Sequence, residues 1–254
     1  MENWPKFFKL IKYNELDSTN SEAKRLAFKD SLNKCIFSKI QTKGKGSRGR
    51  NWISGSKNLT ASFLYYPKGN YINFSHRTFI ASLALFDSLK YSGVNDKDLI
   101  LKWPNDILLK NKKISGILLE TVKDKNSNRL ALIIGVGVNL NSYPQKTDIS
   151  NYSKIKPISL YSVMGKKTPS SKDLVRYIAN SLIYWENIYI KEGFENIKKS
   201  WLNFSYQIGK KLDFEFKGKV IEGSFSGISD DGSLRILADK KIVEINVGDV
   251  FFYI

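Results

Sequence analysis

The sequence predicts an α+β fold, with a large N-terminal domain of helices and strands and a small C-terminal domain of strands. Apolar side chains recur at helical spacing in residues 174–185. Two apolar runs, residues 113–120 and 131–138, are typical of strands. After Gly209 the pattern changes to short segments of alternating polarity between turn signals, which predicts a small β-domain.

The first half of the chain adds two helices and one strand to this outline. A first helix is expected at residues 21–28, with Asp17 or Ser18 as its N-cap. Residues 59–66 are rich in aromatic and apolar side chains and predict a strand. Residues 75–89 are apolar nearly all round, which predicts a helix buried on every side.

The second half of the chain sets the domain organisation. Residues 194–204 predict a further helix, whereas segment 142–170 carries prolines and is expected to be rich in loops. Closely spaced turn signals near the end of the chain predict a small β-barrel. The chain therefore divides into residues 1–206 and a barrel of residues 207–254.

The charge balance is strongly basic. Lysine and arginine total 41 against 24 aspartate and glutamate, which gives a formal net charge of +17. Such an excess is compatible with nucleic-acid binding. The lysines are scattered and the arginines few, so a general bias in composition is the simpler interpretation.

The rarest residues limit the possible chemistry. One histidine and one cysteine exclude a zinc site with several such ligands. A Ser-His-Asp or Cys-His device would have to use His76, which opens an apolar helical stretch. The remaining chemistry must use lysine, arginine, aspartate and backbone amides, which bind phosphates and carboxylates.

Targeting signals are not apparent in the sequence. No apolar run approaches the roughly 18 residues that a membrane-spanning helix needs, and the first residues lack the features of a signal peptide. Cys35 is alone and cannot form an internal disulfide, which agrees with a reducing compartment. We expect a cytoplasmic protein with no membrane partner.

Residues 41–52, QTKGKGSRGRNW, alternate glycines with cations. Backbone N–H groups of such a segment approach a ligand closely and form an anion-binding nest. An arginine can form a bidentate pair of hydrogen bonds with a phosphate, and the ring of Trp52 can stack on a ligand. The segment does not match the Walker pattern, and a mobile solvated loop is the alternative. The glycines and cations are Gly44, Gly46, Gly49, Lys43, Lys45, Arg48 and Arg50.

Two further segments combine lysine with a turn or a glycine. Lys102 and Asp106 flank Pro104 in a KWPND turn, a pair that suits a polyanion with a magnesium ion. Lys113 opens an apolar strand in which Gly116 leaves room for a ligand. A lysine there can hold a carboxylate. The alternatives are an ordinary surface turn and a lysine that reaches water from a strand end.

Residues 133–141, IIGVGVNLN, carry a GxG motif after an apolar strand. Leu140 stands where a dinucleotide-binding fingerprint has its third glycine, and no clear βαβ unit follows. These features argue against a Rossmann fold. Asn139 can hydrogen-bond an adenine edge through its two-faced amide.

In their order and spacing, these segments resemble the catalytic domain of biotin protein ligases. The resemblance rests on DSTN at 17–20, QTKGKGSRGRNW, KWPND, KKISGILLE and GVGVNLN, with GSFSGISDDGSLRIL at 223–237 resembling the family's small barrel. It implies a mixed β-sheet flanked by helices, related to class II aminoacyl-tRNA synthetases and lipoate ligases, with an SH3-like β-barrel behind it. Because ligase-like sequence begins almost at Met1, we expect no helix-turn-helix domain and no repressor function.

The resemblance implies a role for each matching residue at the biotin end of the site. Ser18, Thr19 and Gln41 would hydrogen-bond the ureido group of biotin, and Asn20 would support that turn. The glycine-rich loop would cover biotin and the α-phosphate with Gly44, Lys45, Gly46, Ser47 and Arg48.

The resemblance also implies which residues act on the nucleotide and the reacting atoms. Arg48, Arg50 and Lys102 would face phosphates, and Trp52 and Asn139 would hold adenine. The catalytic residues would be Lys113, Arg48 and Asp106. Lys113, beside Gly116, would meet the biotin carboxylate and then the adenylate. Asp106 would serve a magnesium ion or orient the incoming lysine.

One part of the glycine-rich loop departs from the family's commonest pattern. Lys45 and Ser47 stand where arginines are frequent. Lys45 keeps the positive charge of an arginine but cannot form its bidentate hydrogen bonds. Ser47 has neither the charge nor the bidentate group. The backbone donors of the loop remain.

The implied function is an ATP-dependent biotin protein ligase that forms biotinyl-5′-AMP and transfers biotin to a carrier lysine. The expected partner is the biotin carboxyl carrier protein of acetyl-CoA carboxylase, with no DNA partner and a possible homodimer. Three alternatives stay open: a lipoate or octanoyl ligase, whose usual elements are missing, a basic nucleic-acid-binding module, and an adenylate sensor without transfer activity.

Overall fold

A seven-stranded mixed sheet forms the centre of the N-terminal part of the chain. In this computed structural model its strands are β1 (Lys9–Leu16), β2 (Lys34–Gln41), β3 (Leu59–Tyr65), β4 (Leu99–Lys102), β5 (Asp106–Leu109), β6 (Lys112–Lys123) and β7 (Leu130–Val138). Their order is β1-β2-β3-β7-β6-β5-β4. Only β1 and β2 are parallel to each other among these pairs. The predicted mixed sheet is confirmed.

The structure describes most of the chain. Side chains and backbone are described throughout these ranges except at 71–73, 216, 219 and 249–252, where the backbone alone is described. The described ranges are residues 3–53, 55, 57–67, 71–144, 155–216, 219–246 and 249–252.

The helices pack on the sheet and on each other. They are α1 (Thr19–Leu26), α2 (Tyr71–Tyr91), α3 (Tyr161–Met164), α4 (Ser171–Glu192) and α5 (Phe194–Asn203). Ser18 caps α1, its side chain accepting from the backbone N–H of Ser21, so this helix begins two residues before the predicted start. α2 packs against α4 and α5. No helix among the described residues is long and apolar enough to cross a membrane.

Two apolar layers account for the continuous apolar strands. Every residue of β3 is buried, because the sheet is covered on both faces. One face packs in the main core with α2 and α4, which includes Phe63 and Leu85. The other face forms a smaller cluster with α1, composed of Ala23, Ile36, Leu64, Ala131 and Ile133.

The C-terminal part forms a second, antiparallel sheet. Its strands are β8 (Lys211–Phe216), β9 (Lys219–Ile228), β10 (Leu234–Ala238), β11 (Lys241–Ile245) and β12 (Asp249–Phe252), in the order β11-β10-β9-β8-β12. The sheet is consistent with an SH3-like domain. The predicted SH3-like domain is confirmed as a sheet that is not closed into a barrel, because the edge strands β11 and β12 do not pair with each other among the described residues. The boundary predicted after residue 206 falls between the end of α5 and the start of β8.

Several polar contacts join the turn between β9 and β10 to the first domain. Trp103 Nε1 donates to the carbonyl of Gly232 at 3.1 Å. The ring of His76 lies 2.8 Å from the carbonyl of Asp230, and Lys198 pairs with the Asp230 carboxylate at 2.8 Å. Burial lowers the pKa of His76, which keeps this ring neutral at neutral pH.

The turn at Gly232 yields a prediction for stability. Its φ is +88°, and an added Cβ would lie 2.9 Å from Phe79 Cε2. We expect Gly232→Ala to lower the free energy of unfolding by about 2 kcal/mol, because backbone strain adds to crowding. Urea unfolding measures the change. Gly227→Ala is the control, since its φ is +109° with no neighbour within 4 Å. Equal losses in both variants would show that the Phe79 contact is unimportant.

Candidate active site

A cavity of about 270 Å³ opens beside β6 and β7, at the N-terminus of α1 and under the loop after β2. Thirteen of the sequence-predicted site residues line it. They are Ser18, Thr19, Asn20, Gln41, Lys45, Gly46, Ser47, Arg50, Trp52, Asp106, Lys113, Gly116 and Asn139. The structure therefore brings together segments that lie up to 121 residues apart in the chain.

Three predicted residues stand outside this lining. Gly44 is buried, and a Cβ there would lie 2.3 Å from the carbonyl of Trp52, so only glycine fits. Lys102 is buried behind Asp106. Arg48 is exposed, in a left-handed backbone conformation with φ of 58°. The structure does not bring Arg48 to the cavity wall, and its catalytic role stays a prediction.

The sequence did not single out several other lining residues. Gly135 and Gly137 were considered only for a dinucleotide fold, although two glycines in a buried strand are a signal for close packing by a ring. Ile155 and Pro157 come from the segment predicted to be loop and gave no signal. The lining residues missed are Asn51, Ile53, Asn105, Ile117, Leu118, Gly135, Val136, Gly137, Pro144, Ile155 and Pro157.

The indole of Trp52, at the end of the glycine-rich loop, packs against the sheet. A Cβ on Gly137 would lie 2.3 Å from Trp52 Cε2, and one on Gly116 would lie 3.2 Å from Trp52 Cζ3. The ring thus occupies space that any side chain at Gly137 would fill. Backbone bonds close the loop on itself, from Trp52 N–H to Gly44 O at 2.9 Å and from Gly46 N–H to Arg50 O at 2.7 Å.

Ser47 has a defined partner within the loop. Arg50 Nη2 donates to Ser47 Oγ at 2.9 Å, and Arg50 Nε donates to the Ser47 carbonyl at 3.2 Å. The serine at this departure from the family pattern therefore helps to orient the neighbouring guanidinium, which lines the cavity.

A carboxylate between two ammonium groups forms the charged part of the site. Asp106 Oδ1 lies 2.6 Å from Lys113 Nζ, and Asp106 Oδ2 lies 3.8 Å from Lys102 Nζ. The β4–β5 turn supplies Lys102 and Asp106, and β6 supplies Lys113. Burial opposes ionisation of Asp106, but the charges of the two lysines outweigh it and lower the pKa of this carboxyl. Lys113 thus faces the position of an anionic ligand, and Lys102 adds positive charge from behind Asp106.

Two residues of the cavity lining carry buried polar atoms that have no hydrogen-bond partner in the part of the protein that the structure describes. Among the described residues, Asn139 Oδ1 and Trp52 Nε1 are buried without a hydrogen-bond partner. A buried unpartnered polar group costs about 1–3 kcal/mol. Both residues line the cavity, so a ligand with hydrogen-bonding edges, such as a purine, would relieve this penalty.

At the N-terminus of α1, the cavity wall carries amide and hydroxyl groups that are hydrogen-bonded to each other. Gln41 Oε1 accepts from the backbone N–H of Thr19 at 2.7 Å and lies 3.0 Å from the Thr19 hydroxyl. Ser18, as the N-cap of α1, is buried beside them. This end suits a ligand head group that both donates and accepts hydrogen bonds.

The protein residues alone make a poor metal site. The described part of the chain holds no group of three or more carboxylate, histidine or cysteine side chains able to bind a metal. Both oxygens of Asp106 already face lysines. A magnesium ion here would depend on ligands from a bound nucleotide, as magnesium often does with phosphates.

Two family models match the chain. The Biotin/lipoate A/B protein ligase family matches residues 14–139, and the Biotin protein ligase C terminal domain matches residues 208–253. The two matches include the C-terminal sheet, the first sheet apart from the start of β1, and most of the cavity lining.

Individual relatives match over nearly the whole chain. The biotin–[acetyl-CoA-carboxylase] ligase of Paracoccus denitrificans is 29% identical, covering 93% of this chain and 97% of the relative. The bifunctional ligase/repressor of Bacillus subtilis is 28% identical, covering 95% and 73%. The structure of the Aquifex aeolicus biotin protein ligase in complex with biotin and ATP superimposes with a TM-score of 0.78 at 27% identity, covering 96% and 98%. On its motifs, its fold and these matches, the chain belongs to the biotin protein ligase family.

Proposed function

We propose that this protein is an ATP-dependent ligase that activates biotin as biotinyl-5′-AMP and transfers it to a lysine of a carrier protein. The observation that carries the proposal is the cavity with two lysines at one carboxylate, unpartnered Asn139 and Trp52 atoms, and the Thr19–Gln41 pair. These features match a phosphate, a purine and a ureido group respectively.

In the first step, an oxygen of the biotin carboxylate attacks the α-phosphorus of ATP. The new P–O bond forms as the bond to the β-phosphate oxygen breaks, and pyrophosphate leaves. Negative charge is crowded in this transition state, so fixed cations lower its energy. Lys113, Lys102 and Arg50 supply that charge, and Lys113 exchanges its contact with Asp106 for the ligand.

In the second step, the neutral amine of the carrier lysine attacks the acyl carbon of the adenylate. The amide bond forms as the bond from the acyl carbon to the phosphate oxygen breaks, AMP leaves, and the proton of the amine passes to the AMP phosphate or to water. Asp106 has a lowered pKa, which makes it a weak base. Its role is therefore to attract and orient the incoming lysine.

The polar end of the cavity favours biotin over lipoate. The dithiolane ring of lipoate has no N–H or carbonyl to pair with Thr19 or Gln41, whereas the ureido ring has both. Thr19 and Gln41 Oε1 are already bonded to each other, so a dithiolane would deprive the Gln41 amide nitrogen of a ligand acceptor, at about 1–3 kcal/mol.

The proposed carrier is the biotin carboxyl carrier protein of acetyl-CoA carboxylase. The Paracoccus relative carries the name of that reaction. We propose that magnesium enters with ATP, bound mainly by its phosphates with Asp106 as the nearest protein carboxylate.

The transfer reaction itself is the first test. With MgATP and a purified apo carrier domain, we expect labelled biotin on the carrier, none without ATP, and no comparable labelling by lipoate. Mass spectrometry and label counting check this. Absence of label, with a carrier that another biotin ligase modifies, would contradict the proposed function.

Lys113→Ala should reduce adenylate formation by at least tenfold, because removing a charge-assisted contact costs about 1.5–3 kcal/mol. Biotin-dependent pyrophosphate exchange into ATP measures this step without a carrier. Lys112→Ala is the matched control, since Lys112 neighbours it on β6 but is exposed and outside the cavity lining. Exchange at the wild-type rate in Lys113→Ala would rule out its proposed role.

A further inference from the structure

The side chain of Asn58 joins two connections that leave the cavity. One connection, residues 53–58, leads from Trp52 to the start of β3, and the other, residues 139–144, follows the end of β7. Asn58 is 2% exposed and lies outside the cavity lining. It also lies outside the motifs that carry the family resemblance, so no role was expected for it.

The amide of Asn58 bonds to the backbone of the second connection through both its donor and its acceptor. Its Oδ1 accepts from the backbone N–H of Asn141 at 3.0 Å and from that of Ser142 at 3.2 Å. Its Nδ2 donates to the carbonyl of Ser142 at 2.9 Å and lies 3.4 Å from Ser142 Oγ. One buried side chain thus pairs with three backbone groups of two residues that belong to no strand.

The two connections also pack closely against each other. The backbone N–H of Asn58 donates to the carbonyl of Gly55 at 3.0 Å, which turns the first connection just before β3. A Cβ on Gly55 would lie 2.5 Å from Ser142 Oγ. Glycine at this position therefore allows the first connection to lie directly against Ser142.

The second connection reaches the cavity wall on both sides of its bonds to Asn58. Asn139, before them, lines the cavity, and its backbone is bonded to neighbouring segments through its N–H and its carbonyl. Pro144, two residues beyond Ser142, lines the cavity as well. The bonds to Asn58 therefore determine the course of the chain between two residues of the wall.

Loss of these bonds would release the second connection without unfolding the sheet. Asn141 and Ser142 are exposed, so water can bond their backbone groups once the Asn58 amide is gone. The strand pairing of Leu59 with Val138 does not involve the side chain of Asn58.

Both connections begin where a nucleotide base would bind. The first follows Trp52 and the second starts at Asn139, the two lining residues with buried unpartnered polar atoms. We call this part of the cavity the base end. The Thr19–Gln41 pair belongs to α1 and β2, which neither connection includes.

We propose that Asn58 is a positioning residue for the nucleotide base, because it holds residues 141–144 in place at the base end of the cavity. The inference rests on the proposed function. Asn58 is not on the cavity wall, so it acts through the wall segment that it holds. Its loss should weaken binding of the base and leave the binding of biotin unchanged.

The test is Asn58→Ala, measured by biotin-dependent pyrophosphate exchange into ATP. We expect KM for ATP to rise about tenfold, the size of one or two lost hydrogen bonds, with kcat and KM for biotin nearly unchanged. Adenosine and tripolyphosphate, used as competitive inhibitors, separate the base from the phosphates. The inhibition constant of adenosine should rise by the same factor, and that of tripolyphosphate should not change.

A merely structural role gives a different result. A smaller folded fraction would lower kcat and leave both KM values unchanged, and a general loosening of the site would raise KM for biotin as much as KM for ATP. Either result, or an equal rise of both inhibition constants, would overturn the inference.

Two further variants complete the test. Asn58→Asp keeps the size of the side chain but turns an oxygen toward the Ser142 carbonyl, so it should also raise KM for ATP, which keeps the test valid if Asn58→Ala does not fold. Ser142→Ala is the matched control, since it removes only the 3.4 Å contact and should leave KM for ATP unchanged. A normal KM for ATP in both Asn58 variants would overturn this inference alone, whereas a wild type without biotin-dependent exchange would overturn the proposed function as well.

Discussion

The contact between the indole of Trp52 and two glycines of the sheet is the constraint on which the site depends. Gly137 and Gly116 leave space where a ring can lie against β7 and β6. That ring ends the glycine-rich loop, so its position determines where the backbone donors and Arg50 stand. The position of this ring therefore fixes the loop and its cations relative to the two strands.

Sequence patterns predicted the parts of the fold in which local preference and burial agree. The apolar runs that became β3, β6 and β7, and the periodic apolar positions of α4, were all recognisable in advance. The strands β4 and β5 were missed because four residues carry too little pattern, and they exist through pairing with each other and with β6. The SH3-like domain was predictable from its turn signals, but whether its sheet closes was not, because closure depends on the pairing of distant edge strands.

The site residues also divide into those that a local pattern reveals and those that depend on distant parts of the chain. The glycines of the loop, the lysines and Asp106 were predictable because their chemistry is visible in short motifs. The contact between Asn20 and Glu120 was not predictable, because the two residues are 100 positions apart and the neighbours of Glu120 form an ordinary strand. Ile155 and Pro157 line the cavity through the course of a long connection, which carries no local signal. Residues that bind directly are thus easier to identify than those that orient them.

The bond from Trp103 to Gly232 has a mechanical consequence. Trp103 lies in the turn between Lys102 and Asp106, and its indole is held by the carbonyl of the small domain. The C-terminal sheet is therefore attached at Trp103, three residues along the backbone from Asp106. Displacing that sheet would therefore move the turn that carries Asp106, which lines the cavity, so the small domain and the charged part of the site are mechanically linked.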